Sequence, residues 1–391
     1  MEQHGLNALV STSPSNVFYT SDLSPYGKCF VLLPFEQNVE PAIVAPISGP
    51  TPLILTSPPW IDDIRYYGEF YTTTRWAEEP LSSAEQMLIE AQESWKKTKE
   101  TDPITILIRL LEERGITNGK IGIDESNLPV NHPFWKKIKD ILPNLEAVPA
   151  QKIFREIRMV KSEEEIKRIQ EATRITEKAW ETALEQTKEG ITEKEFAEIY
   201  QHTIISERGR ITSKGLMFGP PIAFGRRTAF VDIALPSDYK LKKGDIIRLD
   251  GGCGYMGYPC DMGRSAVLEQ PSQKLKKYWN AIFEGEQLAI NMAKPGAQAS
   301  DIFHAVIEKV RQSGIPYYKR HHTGHGWGID HYDPPLIGPN DHTPLEEGMV
   351  FCFETPYYEV GWGGILHEDI VVTTKTEPRY LTTFEGELRI L

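Results

Sequence analysis

Between residue 5 and about 150, short apolar runs alternate with stretches in which apolar residues recur every three or four positions. Ala8-Leu9-Val10, Cys29 to Leu33, Ala42-Ile43-Val44 and Lys120-Ile121-Gly122-Ile123-Asp124 read as strands, while 83–93 and Ile104 to Glu113 read as helices. That alternation predicts an α/β domain around a mixed sheet. Its carboxylates are scattered, and Trp60, Trp76, Trp95 and Trp135 are expected to pack or line an interface.

The pattern changes near 150 to 161, which divides the chain into domains 1–155 and 156–391. Ser162 with Glu165 forms a capping box, in which the serine oxygen takes an orphan amide and the glutamate reaches back to the cap. Ile166, Ile169, Thr173, Thr176 and Trp180 follow at helical spacing, and Gly190 is the expected stop. Thr192 with Glu195 repeats the box ahead of Phe196, Ile199, Tyr200 and Thr203. A second helix pair recurs later: Leu275, Tyr278, Ile282 and Ala289, a break at Pro295-Gly296, then a helix with Ser300 as its expected cap and Ile302, Phe303, Val306 and Val310 on its face. Strands separated by glycine-rich turns follow each pair. Residues 160–268 and 272–391 therefore read as two copies of one helix-helix-strands unit, an α+β pseudo-twofold domain with a site between its halves.

Composition narrows the partners. With 43 basic and 55 acidic residues the net charge is −12, and no block of like charge marks a nucleic-acid arm or a membrane-binding patch. The absence of an apolar leader or of about 18 uninterrupted apolar residues leads to the expectation of a soluble, cytoplasmic protein without a membrane partner. Cys29, Cys253, Cys260 and Cys352 are too few for a disulfide scaffold and form no C-x-x-C pair, so they are expected to be small buried hydrophobes.

The candidate chemistry lies in the second domain. Ile246-Ile247-Arg248-Leu249-Asp250 is a strand closing on an acid, and a glycine-rich turn leads on to Asp261. Two aspartates on neighbouring antiparallel strands repel unless a cation lies between them. The second half mirrors this: Met349 to Glu354 is an apolar strand ending on a glutamate, and the chain returns after Gly361-Trp362-Gly363-Gly364 to Glu368. Leu366, Glu368 and Ile370 share one face, which turns Glu368 toward buried neighbours, while Asp369 fits a surface acid on an edge strand. Between the hairpins lies His321-His322-Thr323-Gly324-His325-Gly326, where glycines on both sides of His325 leave room for a close approach by metal and substrate. Four carboxylates and one imidazole suit two hard or borderline ions, Mn²⁺ first with Co²⁺ or Zn²⁺ as alternatives, better than tetrahedral structural zinc.

These residues stand in three motifs: D-G-G-x-G-Y-x-G-Y-x-x-D-x-G-R at 250–264, H-H-T-G-H-G-x-G at 321–328, and G-M-V-F-C-F-E-T-P at 348–356 with H-E-D at 367–369. Together they resemble the metallopeptidase family with the pita-bread fold, which contains methionine aminopeptidase, aminopeptidase P, prolidase, creatinase and ectoine hydrolase. Asn16-Val17-Phe18-Tyr19 and the R-E-I-R-M-V-K-S-E-E-E-I segment extend the likeness to the creatinase/prolidase N-terminal domain and its interdomain helix. The resemblance implies two-metal ligands at Asp250, Asp261, His325, Glu354 and Glu368, with Asp261 and Glu368 bridging. It implies hydrolysis of an Xaa-Pro amide bond in a small peptide by a metal-activated water, with Glu354 carrying the proton to the leaving nitrogen. The assembly expected with it is a homodimer.

The chain departs from that family at three substrate-facing positions. Asp232 or Ile233 stands where the peptidases usually have a histidine, Tyr332 stands where another follows the Gly-Trp-Gly turn, and Leu366 replaces the arginine two residues before the last glutamate. His321 is retained. Tyr332 is then expected to donate to a developing oxyanion, and Leu366 to mark a pocket without a carboxylate partner, unless Arg226 or Arg227 substitutes. The alternative reading is a hydrolase of a small non-peptide amide or amidine on the same scaffold.

Overall fold

The computed structural model describes residues 1–25, 27–47, 59–69, 79–97, 100–124, 132–211, 220–231, 235–383 and 386–391. The chain forms two compact units, Met1–Arg155 and Glu156–Leu391. Among the described residues, no helix is long and apolar enough to cross a membrane.

The first unit is built on a six-stranded mixed sheet in the order Ile64–Tyr67, Ala42–Pro46, Phe30–Pro34, Ala8–Ser11, Gly119–Ile123, Leu145–Pro149. Ala8–Ser11 runs antiparallel to Phe30–Pro34 and parallel to Gly119–Ile123. The Pro103–Glu113 helix starts on Asp102, whose side chain accepts from the Ile104 amide, with proline at the first helical position. It packs Ile106, Leu107, Leu110 and Leu111 against Val10, Phe30 and Ile121. Asp124 is fully buried because it is a structural tie: it accepts from the Thr12 and Ser13 amides and from Asn16 Nδ2 at 2.8–2.9 Å. Trp135 belongs to this core and Trp60 is exposed, whereas Trp76 and the Trp95 side chain lie outside the described residues.

In the second unit both predicted capping boxes are present. The first helix, Glu163–Glu185, ends earlier than the sequence suggests, and Gly190, at φ +90°, shapes the turn into Glu193–Ser206 instead. Ser300 is not a cap. The Ala299–Ser313 helix begins at Gln298 without a side-chain cap, because carbonyls of a distant loop take its first amides: Thr343 O that of Ala299 at 3.2 Å and Asp341 O that of Ser300 at 2.8 Å. The Ser300 hydroxyl meets His342 Nδ1 at 3.0 Å.

A nine-stranded sheet carries the site. Along its main path the order is Asp333–Leu336, Gly324–Gly326, Val350–Glu354, Glu368–Val372, Met262–Val267, Ile246–Gly251, Ile222–Phe224. The path is close to palindromic about its centre: Glu368–Val372 and Met262–Val267, the last long strand of each half, pair there through Gly263 and Glu368. This is the pseudo-twofold arrangement that the repeated sequence pattern predicts. Phe351, Phe353 and Val371 turn to one face and pack with Ile282, Ala289, Val306 and Val310 of the Gln273–Met292 and Ala299–Ser313 helices. Alternation sends Cys352, Glu354, Glu368 and Ile370 to the other face.

Candidate metal centre

Strand register places the acids. Gly263 lies opposite Asp250 on one side and opposite Glu368 on the other, and Glu368 lies opposite Glu354. Directly opposed residues of antiparallel strands share a face, so Asp250, Glu368 and Glu354 form one line across four strands. His325 is opposite Cys352, two residues from Glu354, and so joins the same face. Gly263 occupies the middle of the line because a Cβ there would run into the Leu366 side chain and come within 2.9 Å of Glu368 Cβ.

Asp261, His325, Cys352 and Glu368 bring their donor atoms within 4.8 Å of one another, all buried. His325 Nε2 is 3.9 Å from both Asp261 Oδ2 and Glu368 Oε1. Those spacings are too long for hydrogen bonds. They suit donors around one cation, which holds such ligands at about 2.0–2.2 Å. The donor set therefore fits a divalent ion. Asp250 and Glu354 stand at either end of the line and outside this tight group. Arg248 Nη1 lies 3.7 Å from Asp250 Oδ2, and Arg320 Nη2 donates to Glu354 Oε2 at 3.1 Å. Burial works against the Arg320 charge, but Glu354 together with the nearby Tyr318, Tyr358 and Tyr332 outweighs it and leaves the guanidinium pKa above its ordinary value.

The other sequence-predicted residues are distributed as follows. His321 is exposed, with its ring 4.2 Å from that of His322. Buried His322 is the inner histidine: its Nδ1 is 3.4 Å from Glu354 Oε1, and its Nε2 is 3.4 Å from the Tyr332 hydroxyl. Tyr332 adopts φ +60°, an uncommon conformation for a tyrosine, and lays its ring 4.1 Å from His325. Leu366 is fully buried over Gly263, with its backbone held on both sides by Ser265 Oγ at 2.9 Å. Asp232 and Ile233 lie outside the described residues. Arg227 is not solvated: it pairs at 3.0 Å with fully buried Glu193, while Arg226 is exposed.

One expectation is corrected. Asp369 is no surface acid on an edge strand: its strand is central, and it is fully buried on the opposite face, 2.8 Å from Arg264 Nη2. There it joins Glu286 and His367, which bond to each other through Oε2 and Nδ1. The glycines beside His325 are demanded by neighbouring backbone. A Cβ at either would lie 2.6 Å from a carbonyl oxygen, that of Cys352 for Gly324 and that of Pro334 for Gly326.

Sequence reasoning passed over Arg248, His322, Arg320 and Cys352. For Arg248 a signal existed, since an arginine two residues before Asp250 in an apolar strand must share its face.

A pita-bread sheet with a buried, carboxylate-rich centre defines a metallohydrolase scaffold. The chain belongs to metallopeptidase family M24, which matches residues 167–375. It is 31% identical to the Xaa-Pro dipeptidase of Pyrococcus horikoshii over 264 residues, 68% of this chain and 73% of that one. Similarity to the Xaa-Pro dipeptidase of Pyrococcus furiosus is 26% identity over 390 residues, 99% of this chain and 97% of the other. The crystal structure of X-Pro aminopeptidase from Thermotoga maritima MSB8 shares the fold, with a TM-score of 0.78 at 22% identity, covering 100% of this chain and 99% of that one.

Proposed function

We propose that the protein is a dinuclear metal-dependent peptidase that cleaves Xaa-Pro amide bonds, with Asp250, Asp261, His325, Glu354 and Glu368 as metal ligands. The observation that carries the reading is the in-register line of Asp250, Glu368 and Glu354, with Asp261 and His325 beside Glu368 on the same buried face. Similarity to two Xaa-Pro dipeptidases supports the substrate class. The reading includes Mn²⁺ as the first choice of ion, a homodimer and a cytoplasmic location.

Bound divalent ions supply Lewis-acid polarisation of the scissile carbonyl and an acidified water. Glu354 takes the proton from the attacking water and delivers it to the leaving nitrogen, with Arg320 fixing Oε2 and His322 facing Oε1. The Tyr332 hydroxyl donates to the oxyanion that develops on the carbonyl. His321, exposed beside His322, contacts substrate.

Assay of the Mn²⁺-loaded protein against Xaa-Pro dipeptides, longer Xaa-Pro peptides and cyclic amides tests this. Hydrolysis of the Xaa-Pro bond is expected. Turnover confined to cyclic amides would instead establish the small-amide reading, which the tyrosine at 332 in place of a histidine favours.

A further inference from the structure

The tight donor group contains one atom that the five proposed ligands do not account for, the sulfur of Cys352. Cys352 is the third residue of Val350–Glu354 and is fully buried. Its neighbours Phe351 and Phe353 turn into the helix-packed core, so period-two alternation sets the sulfur on the acid-bearing face with Glu354. Register brings Cys352 opposite His325 on one side and, on the other, opposite Ile370, two residues past Glu368. Its Sγ lies 3.5 Å from Asp261 O, to which the thiol donates. Neighbouring strands thus gather Sγ with donors of Asp261, His325 and Glu368, all within 4.8 Å of one another. His325 Nδ1 faces Gly326 O at 3.3 Å, and a proton held there leaves the lone pair on Nε2, the atom nearest the acids.

Packing alone asks only for a small apolar residue at this position. Cys29 shows that case, set among Val17, Val31 and Ile43. Cys352 instead completes a set of one sulfur, one imidazole nitrogen and two carboxylates, the donor types and the number that a four-coordinate zinc ion takes. A thiolate is a soft ligand that favours Zn²⁺, whereas Mn²⁺ is served by carboxylate, carbonyl and water. We infer that Cys352 is a further ligand of the metal centre, binding as the thiolate beside Asp261, His325 and Glu368 and steering that position towards Zn²⁺ over Mn²⁺. The thiol proton passes to solvent as the sulfur-metal bond forms, and nothing is oxidised. The inference rests on the metal-centre reading and deepens it, because it sets the position beside His325 apart from the ends of the line at Asp250 and Glu354.

X-ray absorption at the zinc edge, on chelator-treated protein given one equivalent of Zn²⁺, reads the ligand directly and needs no variant. A sulfur scatterer at about 2.3 Å is expected, and nitrogen and oxygen scatterers alone would overturn the inference. Co²⁺ gives an independent spectrum. A near-ultraviolet sulfur-to-cobalt charge-transfer band should appear in the unmodified protein and vanish in Cys352→Ser; a band that survives the substitution would place the sulfur elsewhere and overturn the role of Cys352. Competition titration reads selectivity: the ratio of Zn²⁺ to Mn²⁺ affinity should fall at least about tenfold in Cys352→Ser, with the ordinary preference of any such site for zinc cancelling in the comparison. An unchanged ratio would overturn the selection. Failure of the unmodified protein to bind either Zn²⁺ or Co²⁺ would sink the metal-centre reading and this inference with it, whereas a bound ion without a sulfur contact removes only Cys352.

Discussion

Glu354 is held at Oε2 by a 3.1 Å hydrogen bond from Arg320, while His322 Nδ1 lies 3.4 Å from Oε1, so one carboxylate oxygen has a fixed direction before any substrate arrives. Glu354→Gln keeps the shape and removes the proton carrier. Turnover should fall at least about 100-fold with the circular dichroism spectrum unchanged. Asp261→Asn should instead lower the ion content measured by metal analysis, since Asp261 sits inside the tight donor group. Near-normal turnover by Glu354→Gln would move the proton transfer elsewhere. Tyr332 allows a cleaner test: its ring already rests against His325, and phenylalanine preserves that contact while deleting only the hydroxyl. If the hydroxyl stabilises an oxyanion, Tyr332→Phe lowers kcat by roughly tenfold with little change in KM. A raised KM at constant kcat would mean that Tyr332 binds substrate uniformly.

At the level of elements, Asp250 and Glu354 were legible in the sequence because each ends an apolar strand, and period-two alternation then fixes the face of every neighbour. The line across four strands was less legible, since the Gly263 to Glu368 pairing joins residues 105 positions apart and no local pattern records it. Asp369 was misread for the same reason: its partner, Arg264, lies on the adjacent strand of the other half. Ser300 looked like a cap until the distant loop carbonyls answered the helix amides first. Arg264 ties this centre together from behind, donating to Glu368 O at 2.7 Å as well as to Asp369. Asp369→Asn should leave a buried guanidinium without its nearest counter-charge and cost about 3–5 kcal/mol of stability, read by urea unfolding. A loss under about 1 kcal/mol would show that Glu286 and Glu177 suffice to hold the Arg264 charge.

For the molecule as a whole, all five proposed ligands fall in Glu156–Leu391, so metal should act on that unit's stability and leave the first unit's own transition in place. Without ions, several acids of one sign face one another on a buried surface. An ion that binds only the folded state contributes about 2.7 kcal/mol when its free concentration is 100 times Kd. A domain of this size gains about 2–4 °C per kcal/mol. Two occupied sites should therefore raise the melting transition of the second unit by roughly 10 °C or more over chelator-treated protein, measured by scanning calorimetry, with metal analysis approaching two ions per chain. A shift near half that size with a ratio of one would assign a single ion to the group around Asp261, His325 and Glu368, leaving Asp250 and Glu354 to their arginines. A ratio of zero under metal-replete conditions, with no shift, would remove the metallohydrolase reading of this chain altogether.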